Sequence, residues 1–323
     1  MMRFSPFNFQ APLAAGGVTL MAFNWLQFAV PHGEGAVKLS DIQWANLSVA
    51  QTGLYGALVG LMLVLTIANF ALTAIFLRDL VSWIAVGDGY GEFMNGPPAR
   101  VTGILVPVAS LAMTMAVAFA VLPFFIPAVS ANTYVLAVPG LIVFGFLWLT
   151  IFGLEFRLIR GLRERPLAAA ELNFVWLLDV FAFGLVALAG TGLASMATSR
   201  VAASLAALAL LPVMVAGCLL LVGKVVFLVY SQARSRRLPE YRLQPAFFLL
   251  VPITCLYGVS YYRIMLLGQK WFGLEVATPS QLLLSISYVA AAAWALFTVC
   301  LLSRYFTEYF RTSEYFPTQW SMV

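Results

Sequence analysis

Charge is what this sequence has least of. Of its 323 residues, 10% are Asp, Glu, Lys or Arg, against about 25% in a soluble globular chain. That shortage excludes an ordinary water-soluble domain. Histidine occurs once, as His32, in a connection between apolar runs. Membrane haem proteins draw axial ligands largely from histidine, so a haem subunit is not expected. The cysteines Cys218, Cys255 and Cys300 lie far apart in apolar runs. They form neither a disulfide framework nor a metal-ligand spacing. There is no Ser/His/Asp arrangement and no glycine-rich phosphate loop after a strand, so no enzyme and no cofactor are predicted. The net charge of +5 is carried by residues in short loops beside apolar runs, which is no nucleic-acid footprint. A cleavable leader is also missing. Met1 to Gln10 carries only Arg3 and runs into an apolar segment that reads as retained.

What is present is apolar sequence. Hydrophobic residues make up 62% of the chain and the mean hydropathy is +0.94. About 20 apolar residues cross a bilayer. Eight runs reach or come close to that length: Phe9–Val30, Leu54–Leu77, Ala99–Leu122, Thr133–Phe156, Ala168–Leu193, Val201–Tyr230, Ala246–Tyr262 and Gln281–Tyr305. The prediction is an all-α integral membrane protein with one polytopic domain over 1–323. The N-terminus and alternate connections hold Arg3, Arg78, Arg100, Arg157, Arg160, Arg163, Arg165, Arg234, Arg236, Arg237, Arg242, Arg304 and Arg311. The other side holds only Lys38, Arg200, Arg263 and Lys270. The positive-inside rule then places the N-terminus in the cytoplasm, in a bacterial inner membrane.

Two stretches match each other. Leu105-Val106-Pro107-Val108-Ala109-Ser110-Leu111 and Leu250-Val251-Pro252-Ile253-Thr254-Cys255-Leu256 share Leu, Val, Pro and Leu at equal offsets. They read as two copies of one transmembrane helix bent at a proline. Such a bend frees the carbonyl four residues back, here Gly103 and Phe248. In lipid a freed carbonyl is satisfied by protein, water or a passing solute. Pro12, Pro98, Pro166, Pro245 and Pro317 each open an odd-numbered span. Odd spans are rich in Gly, Ala, Ser, Thr and Pro, and even spans in Leu, Val and Phe. Small residues allow close approach or leave a lumen. The reading is an inner ring of odd helices inside an outer ring of even ones, with hairpin repeats near 9–77, 99–156, 168–230 and 246–305. Residues 317–323 read as the start of an incomplete fifth hairpin. The native chain is expected to continue through spans nine and ten, as it would if the sequence were cut at a recoded selenocysteine codon.

The repeated hairpins, together with Pro245-Ala246-Phe247-Phe248-Leu249-Leu250-Val251-Pro252-Ile253-Thr254 and Asn95-Gly96-Pro97-Pro98-Ala99-Arg100, resemble the tellurite-resistance/dicarboxylate transporter family. That family includes bacterial tellurite-resistance and plant slow anion channel relatives. The ending Tyr315-Phe316-Pro317-Thr318-Gln319-Trp320-Ser321-Met322-Val323 is similar to that of its TsoY branch, described as (seleno)proteins. The resemblance implies ten helices around a central pore, small anions as the transported species, and a homotrimer. The gating aromatic of channel members lies on the ninth helix, beyond these residues.

Transport of a sulfur oxyanion, a dicarboxylate or a similar small anion is therefore the expected function, by channel or proton-coupled carrier. The alternative is a haem-free membrane anchor of a quinone-linked redox complex. Such anchors lack a hairpin repeat and need a soluble partner. Pore-lining candidates are Gly16, Gly17, Gly103, Pro107, Gly184, Pro252, Thr254, Cys255 and Gly258. Small residues pack helices more often than they line a lumen, and Cys255 more often stays an inert thiol. Asp179 is the one intramembrane carboxylate singled out, because an ionisable group in a span is usually functional. It reads either as a proton-coupling group or as the partner of a cation on a neighbouring helix. Glu171 reads as interfacial. Lys224 is expected to snorkel to the membrane surface. Arg263 reads as a headgroup or loop residue, with the outer mouth as the alternative.

Overall fold

The computed structural model describes residues 4–33, 35–87, 89–132, 134–164, 173–195, 199–235, 238–312 and 315–322. Expectations for Arg3, Thr133, Arg165, Pro166, Ala168, Glu171, Arg236, Arg237 and Val323 lie outside the described residues.

Long helices account for most of the chain: α1 (Gln10–Ala29), α2 (Val49–Val86), α3 (Val106–Phe125), α4 (Tyr134–Glu164), α5 (Leu178–Ser195), α6 (Arg200–Ser235), α7 (Leu250–Phe272) and α8 (Ala277–Leu301). No strand occurs among the described residues. Seven helical stretches, those carrying α2 to α8, are long and apolar enough to cross a membrane. The protein is thus an all-α, multi-pass membrane protein. Eight such spans were expected. α1 has the length, but Gln10, Thr19, Asn24 and Gln27 lower its hydropathy below that of the others.

α2 is longer at both ends than its predicted span. Ser48 and Gln51 form a capping box at its start, and Gly87 ends it at φ 74. A left-handed residue there favours glycine. The Arg78-Asp79 pair, read as connection, lies on the helix, with the guanidinium 3.0 Å from the carboxylate.

Four of the long helices begin alike. A 3-10 segment precedes each: Pro6–Phe9 before α1, Thr102–Leu105 before α3, Phe174–Leu177 before α5 and Tyr241–Leu249 before α7. The two prolines expected to bend a helix stand at this change from 3-10 to α geometry, inside the membrane-length stretches Pro98–Phe125 and Tyr241–Phe272. Pro107 is the second residue of α3 and Pro252 the third of α7. The first turn of a helix has no intrahelical partner for its N–H groups, so a proline there breaks nothing. Nor are the two carbonyls free. Gly103 accepts from the Val106 N–H, and Phe248 from the Leu250 N–H.

α1, α3, α5 and α7 pack in that order, side by side. Their 3-10 starts gather at one end. The Thr102 hydroxyl reaches the Val175 carbonyl at 3.4 Å, and Phe174 stacks on Phe247 with centroids 4.1 Å apart. The four helices therefore run parallel. α2 covers α1, α4 lies across α3 and α5, α6 covers α5, and α8 covers α7. Composition explains the layering. The most apolar stretch of α5 is 89% buried and that of the α3 span 67%, against 17–22% for α2, α4, α6 and α8. Bulky Leu, Val and Phe on the even helices face outward, where lipid is their natural neighbour. Pro317–Met322 forms a further 3-10 segment beside Tyr241–Leu249, touching α1. There the Thr318 hydroxyl donates to the Arg242 carbonyl, and Gln319 donates to the Tyr305 hydroxyl at 3.1 Å.

One polar clamp ties the layers together. Asn69 of α2 is fully buried and donates to the Pro12 carbonyl of α1 at 2.7 Å. Gly16 permits this approach, since a Cβ there would sit 2.6 Å from Met113 Cγ and 3.0 Å from Asn69 Nδ2. Interhelical hydrogen bonds in membranes contribute about 0.6–2 kcal/mol. Asn69→Ala is expected to lower the thermal unfolding midpoint in detergent by an amount equivalent to about 1 kcal/mol. An unchanged midpoint would remove the clamp from the account.

Candidate functional site

The four parallel helices enclose a cavity of about 1160 Å³. Its middle is small and apolar: Ala14 and Val18 from α1, Ala109 and Ala116 from α3, Leu185 and Ala189 from α5, Pro252 and Val259 from α7. Trp320 and Ser321 of the last 3-10 segment border it near the helix starts. Toward the helix ends the wall turns polar. Asn24, Gln27, Lys38, Arg263 and Lys270 line it there, with Trp271 and Tyr288. No Asp or Glu lines the cavity among the described residues.

That basic end is built by local geometry. Gln27 fixes the loop after α1, accepting the Val37 N–H at 2.8 Å and donating to the Gly35 carbonyl at 3.1 Å. This places Lys38 at the rim. Lys270 lies near the Trp271 ring, 5.4 Å from its centroid. Arg263 has the Tyr288 hydroxyl of α8 as its electrostatic neighbour and no carboxylate partner among the described residues.

The predicted pore-lining residues divide. Gly17, Pro252 and Cys255 are on the cavity wall. The others are not. Gly16 packs against Met113 and Asn69, and Gly103 lies against the Phe7 ring. Gly184 meets Leu256 and Tyr257, where an added Cβ would be 3.3 Å from each. Gly258 lies against Ser287 of α8. Pro107 is buried in the first turn of α3, and the Thr254 hydroxyl donates back to the Leu250 carbonyl at 2.6 Å. The four glycines among these six serve helix packing, because a neighbouring element approaches closely where a side chain is missing.

A second polar group lies apart from the cavity. Asp179, in the first turn of α5, has no exposed surface. One of its oxygens accepts the Val180 N–H at 2.6 Å, and the other pairs with Lys224 Nζ of α6. Lys224 also donates to the Trp176 carbonyl at 2.9 Å and stands 4.2 Å from the Trp176 ring centroid. The expected snorkelling of Lys224 is thus overturned. The ammonium turns inward because Asp179 and an open 3-10 carbonyl lie within its reach. Glu155 of α4 completes the group. It is 6% exposed and in electrostatic contact with both Asp179 and Lys224. Its Oε2 has no hydrogen-bond partner. Glu155 is inconspicuous in the sequence because it stands beside the basic connection. The available signal was one ionisable residue on each of three consecutive spans.

No protein-family model matches this sequence, and the searches of curated proteins and of solved structures return no match either.

Proposed function

We propose that the protein carries a small anion across the membrane through the cavity between its four parallel helices. The observation that carries this reading is the wall itself, which offers Arg263, Lys270 and Lys38 and no carboxylate among the described residues. A cavity lined by one sign of charge between low-dielectric walls concentrates the opposite sign. The apolar middle holds no fixed partner for an anion, which suits passage more than storage. The layered arrangement and the shared 3-10 starts support a repeated-hairpin transporter of the tellurite-resistance/dicarboxylate kind. Loop charge supports a cytoplasmic N-terminus, which puts the basic end of the cavity outside. Sulfur oxyanions and dicarboxylates fit the volume and the charge.

The test is flux from liposomes holding the purified chain. Vesicles are loaded in turn with potassium thiosulfate, sulfite, malate or chloride, and valinomycin is added so that the anion limits efflux. At least one anion is expected to leave faster than from empty liposomes. A cation that an anion approaches to about 4 Å contributes about 1–4 kcal/mol, depending on local water. Arg263→Gln should therefore slow efflux about tenfold, the equivalent of about 1.4 kcal/mol. Efflux no faster than from empty liposomes for every anion would reject the proposal. An unchanged rate in Arg263→Gln would remove the basic wall as its cause.

A further inference from the structure

We propose that Glu155 is a proton-binding site inside the membrane domain, and that Glu155, Asp179 and Lys224 form one electrically neutral unit when the proton is bound. This inference stands on the buried group alone and does not depend on anion transport.

The group holds two carboxyls and one ammonium, contributed by α4, α5 and α6. All three are buried, with Asp179 at 0%, Glu155 at 6% and Lys224 at 7% exposure. Lys224 is committed to Asp179 and to the Trp176 carbonyl. Asp179 has both oxygens partnered, one accepting from an N–H and the other from the ammonium. It also sits in the first turn of α5, where a helix favours negative charge. Glu155 has no such help, because its Oε2 accepts from nothing. An ionised carboxylate with an orphan oxygen is costly to bury, and the usual outcome is a proton on the group. The proton comes from water and bonds to a carboxylate lone pair. It leaves a neutral acid beside a neutral ion pair.

Among the described residues, the charged neighbours that act on Glu155 are Asp179 and Lys224. α3 and the segment Thr102–Leu105 carry no ionisable side chain. Arg100 lies over the Phe93 ring, 5.4 Å from its centroid. Arg157, two residues along α4, reaches the Tyr90 hydroxyl at 3.2 Å. On the far side of Asp179, Tyr257 of α7 donates to the Val180 carbonyl at 3.1 Å. The unit therefore touches the turn that begins α5, and the next residues along, Leu178 and Phe181, line the cavity. Loss of the proton places one uncompensated negative charge next to that turn.

Infrared difference spectroscopy on the purified full chain tests this directly. At neutral pH exposed carboxyls are ionised, so a carbonyl stretch from a neutral carboxylic acid marks a buried protonated group. The expected result is such a band, shifted in deuterium oxide, lost at high pH and absent in Glu155→Gln. Carbon-13 labelling of glutamate in the unsubstituted chain should move the band as well, which assigns it without a mutation. No band at neutral pH would overturn the proposal. So would a band that labelled glutamate leaves in place, or one that persists in Glu155→Gln and disappears in Asp179→Asn, because the proton would then belong to Asp179.

Discussion

Lys224→Met is expected to cost about 3–5 kcal/mol of stability, the usual loss when one partner of a buried ion pair is removed. Methionine fills the volume of the lysine stem, so the loss reports charge more than packing. What remains is Asp179, with no exposed surface and one oxygen without its ammonium, together with the Trp176 carbonyl that Lys224 had satisfied. Three elements lose their link at once: α6, the 3-10 segment Phe174–Leu177 and the first turn of α5. The double variant Asp179→Asn/Lys224→Met removes both charges and should recover most of the loss. Unfolding midpoints of the two variants and of the unsubstituted protein in one detergent give the comparison. A single variant within about 1 kcal/mol of the unsubstituted protein would mean that the pair does not hold α5 to α6.

Gly258→Ala carries the second large effect, from one added methyl group. Gly258 of α7 faces Ser287 of α8, and a Cβ placed there would overlap the Ser287 side chain. Oγ of Ser287 is already bonded to the Leu284 carbonyl at 2.7 Å, so it yields only by breaking that bond. Overpacking of this kind costs about 1–3 kcal/mol. Gly153 of α4 provides the control. It too is a helical glycine, but nothing lies within 4 Å of its Cβ position. Gly153→Ala should be neutral, or stabilising by up to about 1 kcal/mol through helix propensity. Equal midpoints for the two variants would show that α7 and α8 are not in close contact at Gly258.

The two-layer architecture was legible in the sequence because lipid and protein select different residues. Phe146 and Leu149 of α4 are exposed, whereas Ala182, Gly184 and Ala187 of α5 are buried. That contrast in side-chain size is written in composition. Helix starts were harder to read. The Leu-Val-Pro stretches looked like mid-helix kinks because an apolar run continues on both sides of each proline. The change from 3-10 to α geometry leaves the hydropathy unaltered. At the site, Asp179 stood out as a carboxylate within an apolar run. Lys224 and Glu155 did not, since each lies near a basic loop where charge is ordinary. Their meeting depends on how α4, α5 and α6 pack, and no local pattern encodes that. The glycines misled for a related reason. A missing side chain admits either a lumen or a neighbour, and at Gly16, Gly103, Gly184 and Gly258 the neighbour took the space.

The parallel run of α1, α3, α5 and α7 has an electrical consequence. Each helix carries a macrodipole worth about half an elementary charge, positive at its start and negative at its end. Neighbouring antiparallel helices cancel such fields. Here the cavity is bounded by four helices pointing one way, with their oppositely directed partners a layer further out. At the starts the four positive poles add. At the ends the four negative poles would repel an anion, and there the wall supplies Arg263, Lys270 and Lys38. The cations thus offset the poles that would otherwise close that mouth to negative charge. Under the proposed anion pathway, the backbone poles at one end and the basic side chains at the other favour the same sign of charge.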